Sequence, residues 1–198
     1  MIEFNNLSNE LPYSLLKTNY EKSLLANQKN IEAICISSYS NINNEVNARY
    51  VNLKYINDKE FIFFSNYESP KAVEFLSHKQ ISALIYWNSI DLQIRMKAKI
   101  KPTTLEFNKA YFKSRDVKKN ALSISSNQSV SISSYSKVIE NYKNCYENED
   151  LKKCPKHWGG YSFVPYSFEF WRGHESRINH RDLYTFIEDQ WEHTFLQP

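Results

Sequence analysis

Glycine is nearly absent: Gly159, Gly160 and Gly173 are the only three in 198 residues. A dinucleotide-binding fingerprint needs three glycines within six positions, and a P-loop needs two ahead of a Lys and a Ser or Thr. Neither can be written with these residues, so a bound phosphate would be held mainly by side chains. Cysteine is equally sparse. Cys35, Cys145 and Cys154 are odd in number and irregularly spaced, which argues against a disulfide framework and for a reducing compartment. No stretch reaches about 18 apolar residues, and the start from Met1 to Asn6 has no basic segment leading into an apolar run. The expectation is a cytoplasmic protein with no membrane segment. An excess of one charge is missing too: 25 Lys and Arg against 22 Asp and Glu leave +3, too little to argue for nucleic acid as a partner.

Several chemistries are also excluded by motif. Cys145, Cys154 and His157 have no zinc-site spacing, and the chain contains neither a His-Glu-x-x-His helix nor a Gly-x-Ser-x-Gly elbow. No metal is expected. Aromatic residues, by contrast, make up 15% of the chain, ample material for one sizeable core.

Periodicity predicts a helix over about 11–26, with Leu15, Leu16, Tyr20, Leu24 and Leu25 at helical spacing and Pro12 in the first turn. Strands are expected at 31–38, 48–56, 60–65, 81–87 and 92–101, and later at 161–165, 167–171, 182–187 and 190–196. Short helices are expected at 70–77, at 103–113 with Thr103 and Glu106 as a capping box, and at 136–149. The Ser-rich run 123–136 reads as a polar loop. Six or more short strands with peripheral helices give a mainly β, α+β class: one domain over 1–198, a small barrel core from about residue 31 preceded by a helix.

Basic residues beside aromatics are the candidates for binding. Arg49 and Lys54 share a strand, where positions five apart point to opposite faces. Lys71 follows Ser69-Pro70 and opens a helix, a natural anion site, although local features alone favour a solvated lysine beside a turn. Tyr111 and Arg115 are four apart on a helix face and could grip one anionic group. Trp158-Gly159-Gly160-Tyr161, Glu169-Phe170-Trp171-Arg172-Gly173 and Arg177-Ile178-Asn179-His180-Arg181 form the densest cluster of rings and cations. Local reasoning ends at a binder of an anionic, ring-bearing ligand.

Taken in order, these segments resemble the pyridoxine/pyridoxamine 5'-phosphate oxidase family. The resemblance runs from Arg49-Tyr50-Val51-Asn52-Leu53-Lys54 through Phe61 to Lys71, Tyr86-Trp87, Gln93-Ile94-Arg95, Tyr111 to Arg115 and Asn127-Gln128-Ser129. It closes with Trp158 to Tyr161, Glu169 to Gly173, Arg177, Arg181 and Leu196-Gln197-Pro198, covering about three-quarters of the chain. It implies an FMN-binding split β-barrel, homodimeric, with the flavin at the subunit interface. By matching position, FMN would contact Arg49, Tyr50, Val51, Asn52, Leu53, Lys54, Phe64, Ser65 and Lys71, then Gln93, Gln128, Ser129, Trp171 and Arg181. A small phosphorylated pyridine would be held by Lys54, Tyr111, Arg115, Lys119, Arg177 and Asn179, with Arg177 and Asn179 at the catalytic positions. The implied reaction oxidises pyridoxine or pyridoxamine 5'-phosphate to pyridoxal 5'-phosphate, passing hydride to FMN and then electrons to O2, giving H2O2.

Three positions depart from the family pattern. Pro70 stands where Arg precedes Lys71, Lys119 where a phosphate-binding Ser is usual, and Asn179 where His is usual; Asn cannot titrate near neutrality. Two alternatives therefore stay open: an FMN-dependent oxidase of the same fold acting on another small molecule, such as a phenazine precursor, or a non-catalytic protein binding flavin or pyridoxal phosphate.

Overall fold

The computed structural model describes residues 1–198. Its strands are β1 (Glu3–Asn5), β2 (Ala33–Ser40), β3 (Glu45–Asn57), β4 (Glu60–Asn66), β5 (Gln80–Trp87), β6 (Leu92–Pro102), β7 (Trp158–Arg172), β8 (His180–Ile187) and β9 (Gln190–Phe195). Its helices are α1 (Leu11–Leu25), α2 (Pro70–Ser77), α3 (Leu105–Ser114), α4 (Val117–Ser125) and α5 (Tyr135–Asn148). None is long and apolar enough to cross a membrane.

Strand pairing closes a ring. β3 pairs β2, β2 pairs β5, and then β6, β7 and β4 follow until β4 returns to β3. Closure pairs each of these six strands on both sides over at least part of its length, while β8 and β9 extend the sheet beyond β7. Inside lie Ile34, Ile36, Leu53, Phe61, Phe63, Ile94, Phe163 and Phe168, each fully buried. Tyr13 of α1 covers one end of this core, packing edge-on against Phe168 at 5.2 Å.

The ring parts at one seam. β3 pairs with β4 only from Leu53 to Asn57, whereas Phe64, Ser65 and Asn66 pair with β7 alone. The stretch of β3 before Leu53 therefore has β2 on one edge and no strand on the other. A cleft opens there.

Several boundaries differ from the sequence expectation, each for a local reason. β7 is one strand of 15 residues, not two, because a shift in register opposite Lys97 and Ala98 lets the chain pass Pro165. The helix after β6 is capped by Thr104, whose hydroxyl accepts from Phe107 N–H, while Thr103 bonds Asn108 instead. Residues 117–125 form α4, where a Ser-rich loop was expected from residue 123; Asp116 caps it by accepting from the N–H groups of Lys118 and Lys119.

Candidate active site

The cleft at the seam has a volume of about 540 Å³ and is walled by β3, β4, the start of α2, α3, α4 and the loop that follows α4. Arg49 and Lys54 both line it. Simple alternation would put them on opposite faces, but the register shifts between Leu53 and Tyr55, and this bulge turns the strand between them. Leu53 itself points into the core and is fully buried.

One wall is aromatic. The Phe64 ring stacks on Tyr111 with centroids 3.9 Å apart and on Trp158 at 5.0 Å, nearly parallel in both cases. Trp158 is held by the strand it begins. Asn108 accepts from Gly160 N–H at 2.8 Å and donates to the Tyr67 hydroxyl, which in turn donates to Gly160 C=O. A side chain at Gly159 would collide with Tyr67 and Asn108, so the pair of glycines permits this close approach. His157 bonds the Ser123 carbonyl at 3.0 Å, tying α4 to the entrance of β7.

Cations stand around this wall. The Arg115 guanidinium lies 5.1 Å from the centre of the Trp158 ring and donates to Ser123 Oγ at 2.8 Å and Asn120 Oδ1 at 3.3 Å. Burial lowers its pKa and raises that of the Tyr111 hydroxyl, with the Arg115 charge pulling Tyr111 back. Lys71 is 8% exposed, makes no ion pair, and has one hydrogen bond, to Ser69 Oγ at 3.0 Å. Burial and the nearby Arg49 charge push its pKa down to about 8, against an opposing pull from Glu74. A buried ammonium with donors to spare is costly unless an anion meets it.

Of the residues expected to bind, Arg49, Tyr50, Val51, Asn52, Lys54, Phe64, Ser65, Lys71, Gln128, Ser129, Tyr111 and Arg115 come together in this cleft. Gln93, Trp171 and Arg181 do not line it. They form a row across three strands instead, Gln93 opposite Trp171 and Trp171 opposite Arg181. Glu169 accepts from both Arg181 Nε at 2.8 Å and Arg95 at 3.2 Å, while Arg95 also donates to Gln93. Arg177 and Asn179 lie in the turn before β8, Arg177 with φ 60° and Asn179 accepting the His174 N–H at 3.1 Å. Lys119 is exposed on α4 and lines no part of the cleft. Sequence reasoning missed Ser123 and Ser126, which do line it. Ser123 follows Arg115 by eight residues, a separation that carries no signal until α4 folds back.

Known proteins align with this geometry. A family model described as the pyridoxine 5'-phosphate oxidase C-terminal dimerisation region matches residues 158–198. A pyridoxine/pyridoxamine 5'-phosphate oxidase of Trichormus variabilis is 31% identical over 191 residues, covering 94% of this chain and 88% of that protein. The chain belongs to the pyridoxine/pyridoxamine 5'-phosphate oxidase family. The relative from Paraburkholderia phytofirmans is 36% identical over 154 residues, 76% of this chain and 72% of its own. Two crystal structures share the fold. PhzG from Burkholderia lata, in complex with tetrahydrophenazine-1-carboxylic acid, superposes with a TM-score of 0.88 at 24% identity, over 94% of this chain and 92% of that one. An FMN-binding protein related to pyridoxamine 5'-phosphate oxidase, from Nostoc punctiforme, gives 0.73 at 12% identity, over 92% and 97%. The architecture is therefore the split barrel of this family.

Membership supports FMN as the cofactor, and the cleft's own chemistry fits it. The buried, unpaired Lys71 beside Arg49 suits a phosphate, and the exposed edge of β3 offers backbone groups to the polar rim of a flavin ring.

Proposed function

We propose that this protein is an FMN-dependent oxidase that converts pyridoxine or pyridoxamine 5'-phosphate to pyridoxal 5'-phosphate in the cytoplasm. It would act as a homodimer, each chain a single domain. The observation that carries the reading is the gathering of four cations and the Tyr111 hydroxyl in one cleft, which we divide into Arg49 with Lys71, and Lys54 with Tyr111 and Arg115. Two phosphorylated ligands need two anion sites, and a planar aromatic wall between them suits ring-bearing molecules.

FMN, when bound, supplies the two-electron acceptor for the substrate C4' hydride and returns those electrons to O2 as H2O2. The residues do the rest. Arg115 and the Tyr111 hydroxyl bind the substrate phosphate, and Lys54 adds charge from the opposite strand. Arg115 keeps its orientation through Ser123, Asn120 and the Trp158 ring. Gln128 and Ser129 cover the cofactor from the loop after α4. Gln93, Trp171 and Arg181 would reach the cleft of a second copy, joined by Arg177 and Asn179 from the adjoining turn. The match of residues 158–198 to a dimerisation region supports that arrangement.

A second reading keeps FMN and changes the substrate to a phenazine-precursor-like acid. It is favoured by Asn179, whose carbonyl oxygen is engaged within its own turn, and by the exposed Lys119. Turnover decides between them. Equimolar H2O2 and pyridoxal 5'-phosphate from pyridoxine 5'-phosphate in aerated buffer supports the first reading. Bound FMN that this substrate never reduces would reject it, and Asn179→His would then lower turnover of the true substrate. A chain that binds FMN and oxidises neither class of substrate would be a flavin-binding protein only.

A further inference from the structure

Arg49 is not free in its cleft. Its Nη1 donates to Ser38 Oγ at 2.5 Å and to the Ile36 carbonyl at 3.3 Å, and its Nη2 donates to Glu74 Oε2 at 2.9 Å. Glu74 is buried on α2, at 5% exposure, and both its oxygens are engaged: besides Arg49, Ser38 Oγ donates to Oε2 and Asn47 Nδ2 donates to Oε1 at 3.0 Å. A guanidinium has five N–H donors. Three are taken here, leaving Nε–H and one N–H of Nη2, adjacent on one side of the fork, as the pair that can meet two oxygens of one ligand.

Glu74 is also three residues after Lys71 on the same helix, so both side chains leave α2 on one face. Pro70 occupies the first helical position and supplies no charge. Arg49 and Lys71 are thus the cations at this end of the cleft, and a single carboxylate acts on both.

We propose that Glu74 is a positioning residue of the cofactor-phosphate subsite: it fixes the Arg49 fork toward the cleft, beside Lys71 on its own face of α2. This rests on the FMN reading above. The charges acting on Lys71 are Arg49 from β3 and Glu74 from its own helix; Lys54, Tyr111 and Arg115 line the same cleft. Arg49 disfavours the charged lysine and Glu74 favours it. Removing the Glu74 charge therefore makes Lys71 lose its proton at lower pH, and phosphate affinity falls with it.

The test is FMN binding by the full chain, followed by quenching of flavin fluorescence from pH 6.5 to 9.5, with riboflavin as the probe lacking phosphate. Glu74→Gln keeps the shape and removes the charge. The expected result is a pH midpoint of FMN affinity displaced downward, with binding at pH 8.5 weakened about threefold or more and riboflavin unchanged. Ser38→Ala serves as the second variant, leaving the carboxylate charged but loosening the fork. It should weaken FMN at every pH without moving the midpoint. Superimposable FMN profiles for wild type and Glu74→Gln would overturn the proposal while leaving the cofactor reading intact. Failure of the wild-type chain to bind FMN at any pH would overturn both.

Discussion

The cleft and the row across β6, β7 and β8 contain the same residue types put to different use. In the cleft, Lys71 and Lys54 have no carboxylate partner, and Arg115 is held by neutral oxygens and an indole face. In the row, Arg95 and Arg181 share one carboxylate, Glu169, and Arg181 also donates to the Gln197 carbonyl at 2.9 Å. In the cleft only Arg49 has a carboxylate partner, Glu74, so most of the positive charge is left for a ligand. The row offsets one of its two positive charges and presents Gln93 and Trp171 beside it, suited to the edge and face of a ring. Neither is a complete site for a phosphorylated flavin by itself. On the proposed reading the phosphates belong to the cleft, and the row would cover the ring from a second copy.

The largest expected effect that tests this division is Arg115→Ala. Losing a charged hydrogen-bond donor to the substrate phosphate costs about 3 kcal/mol, so kcat/KM should fall about 100-fold with FMN affinity unchanged. Comparable loss of FMN would mean that the two anion sites are not separate. Next comes pH. Lys71 in the free protein loses its proton near pH 8, so it is charged below that value and neutral above it. FMN affinity should hold from pH 7 to 8 and then decline by up to about tenfold per unit, a slope calorimetry or fluorescence titration would read directly. A flat profile to pH 9.5 would remove Lys71 from the phosphate site. The smallest effect belongs to the row. Glu169→Gln leaves Arg95 and Arg181 without their shared charge and should cost about 1 kcal/mol, a several-fold loss of FMN with substrate KM little changed.

Much of the cleft was legible in the sequence because its parts are short motifs in order. Arg49 to Lys54, Phe64-Ser65, Lys71 and the Tyr111–Arg115 pair are each short local motifs, and all but Leu53, which turns into the core, line the cleft. Three things were not legible. The common orientation of Arg49 and Lys54 depends on a bulge that no periodicity reveals. Helix α4 is Ser-rich and buries little beyond Asn120 and Ala121, so its pattern resembles a loop; only the Asp116 cap announces it. Glu74 and Glu169 look like ordinary surface acids until the fold sets one against Arg49 and the other between two arginines. Pairings between distant strands leave no trace in local sequence, which is why the ligands could be named but not those that orient them.

The dimer claim is tested most directly by mixing two damaged chains. Lys71→Ala spoils the cleft of its own subunit, and Arg181→Ala spoils the row offered to its partner. In a mixed dimer one site carries both defects and the other carries neither. Equal amounts of the two variants, unfolded together and refolded, should recover about a quarter of wild-type turnover, since half the dimers are mixed and each has one intact site of two. Activity no greater than the average of the two variants alone would contradict a site built from both copies.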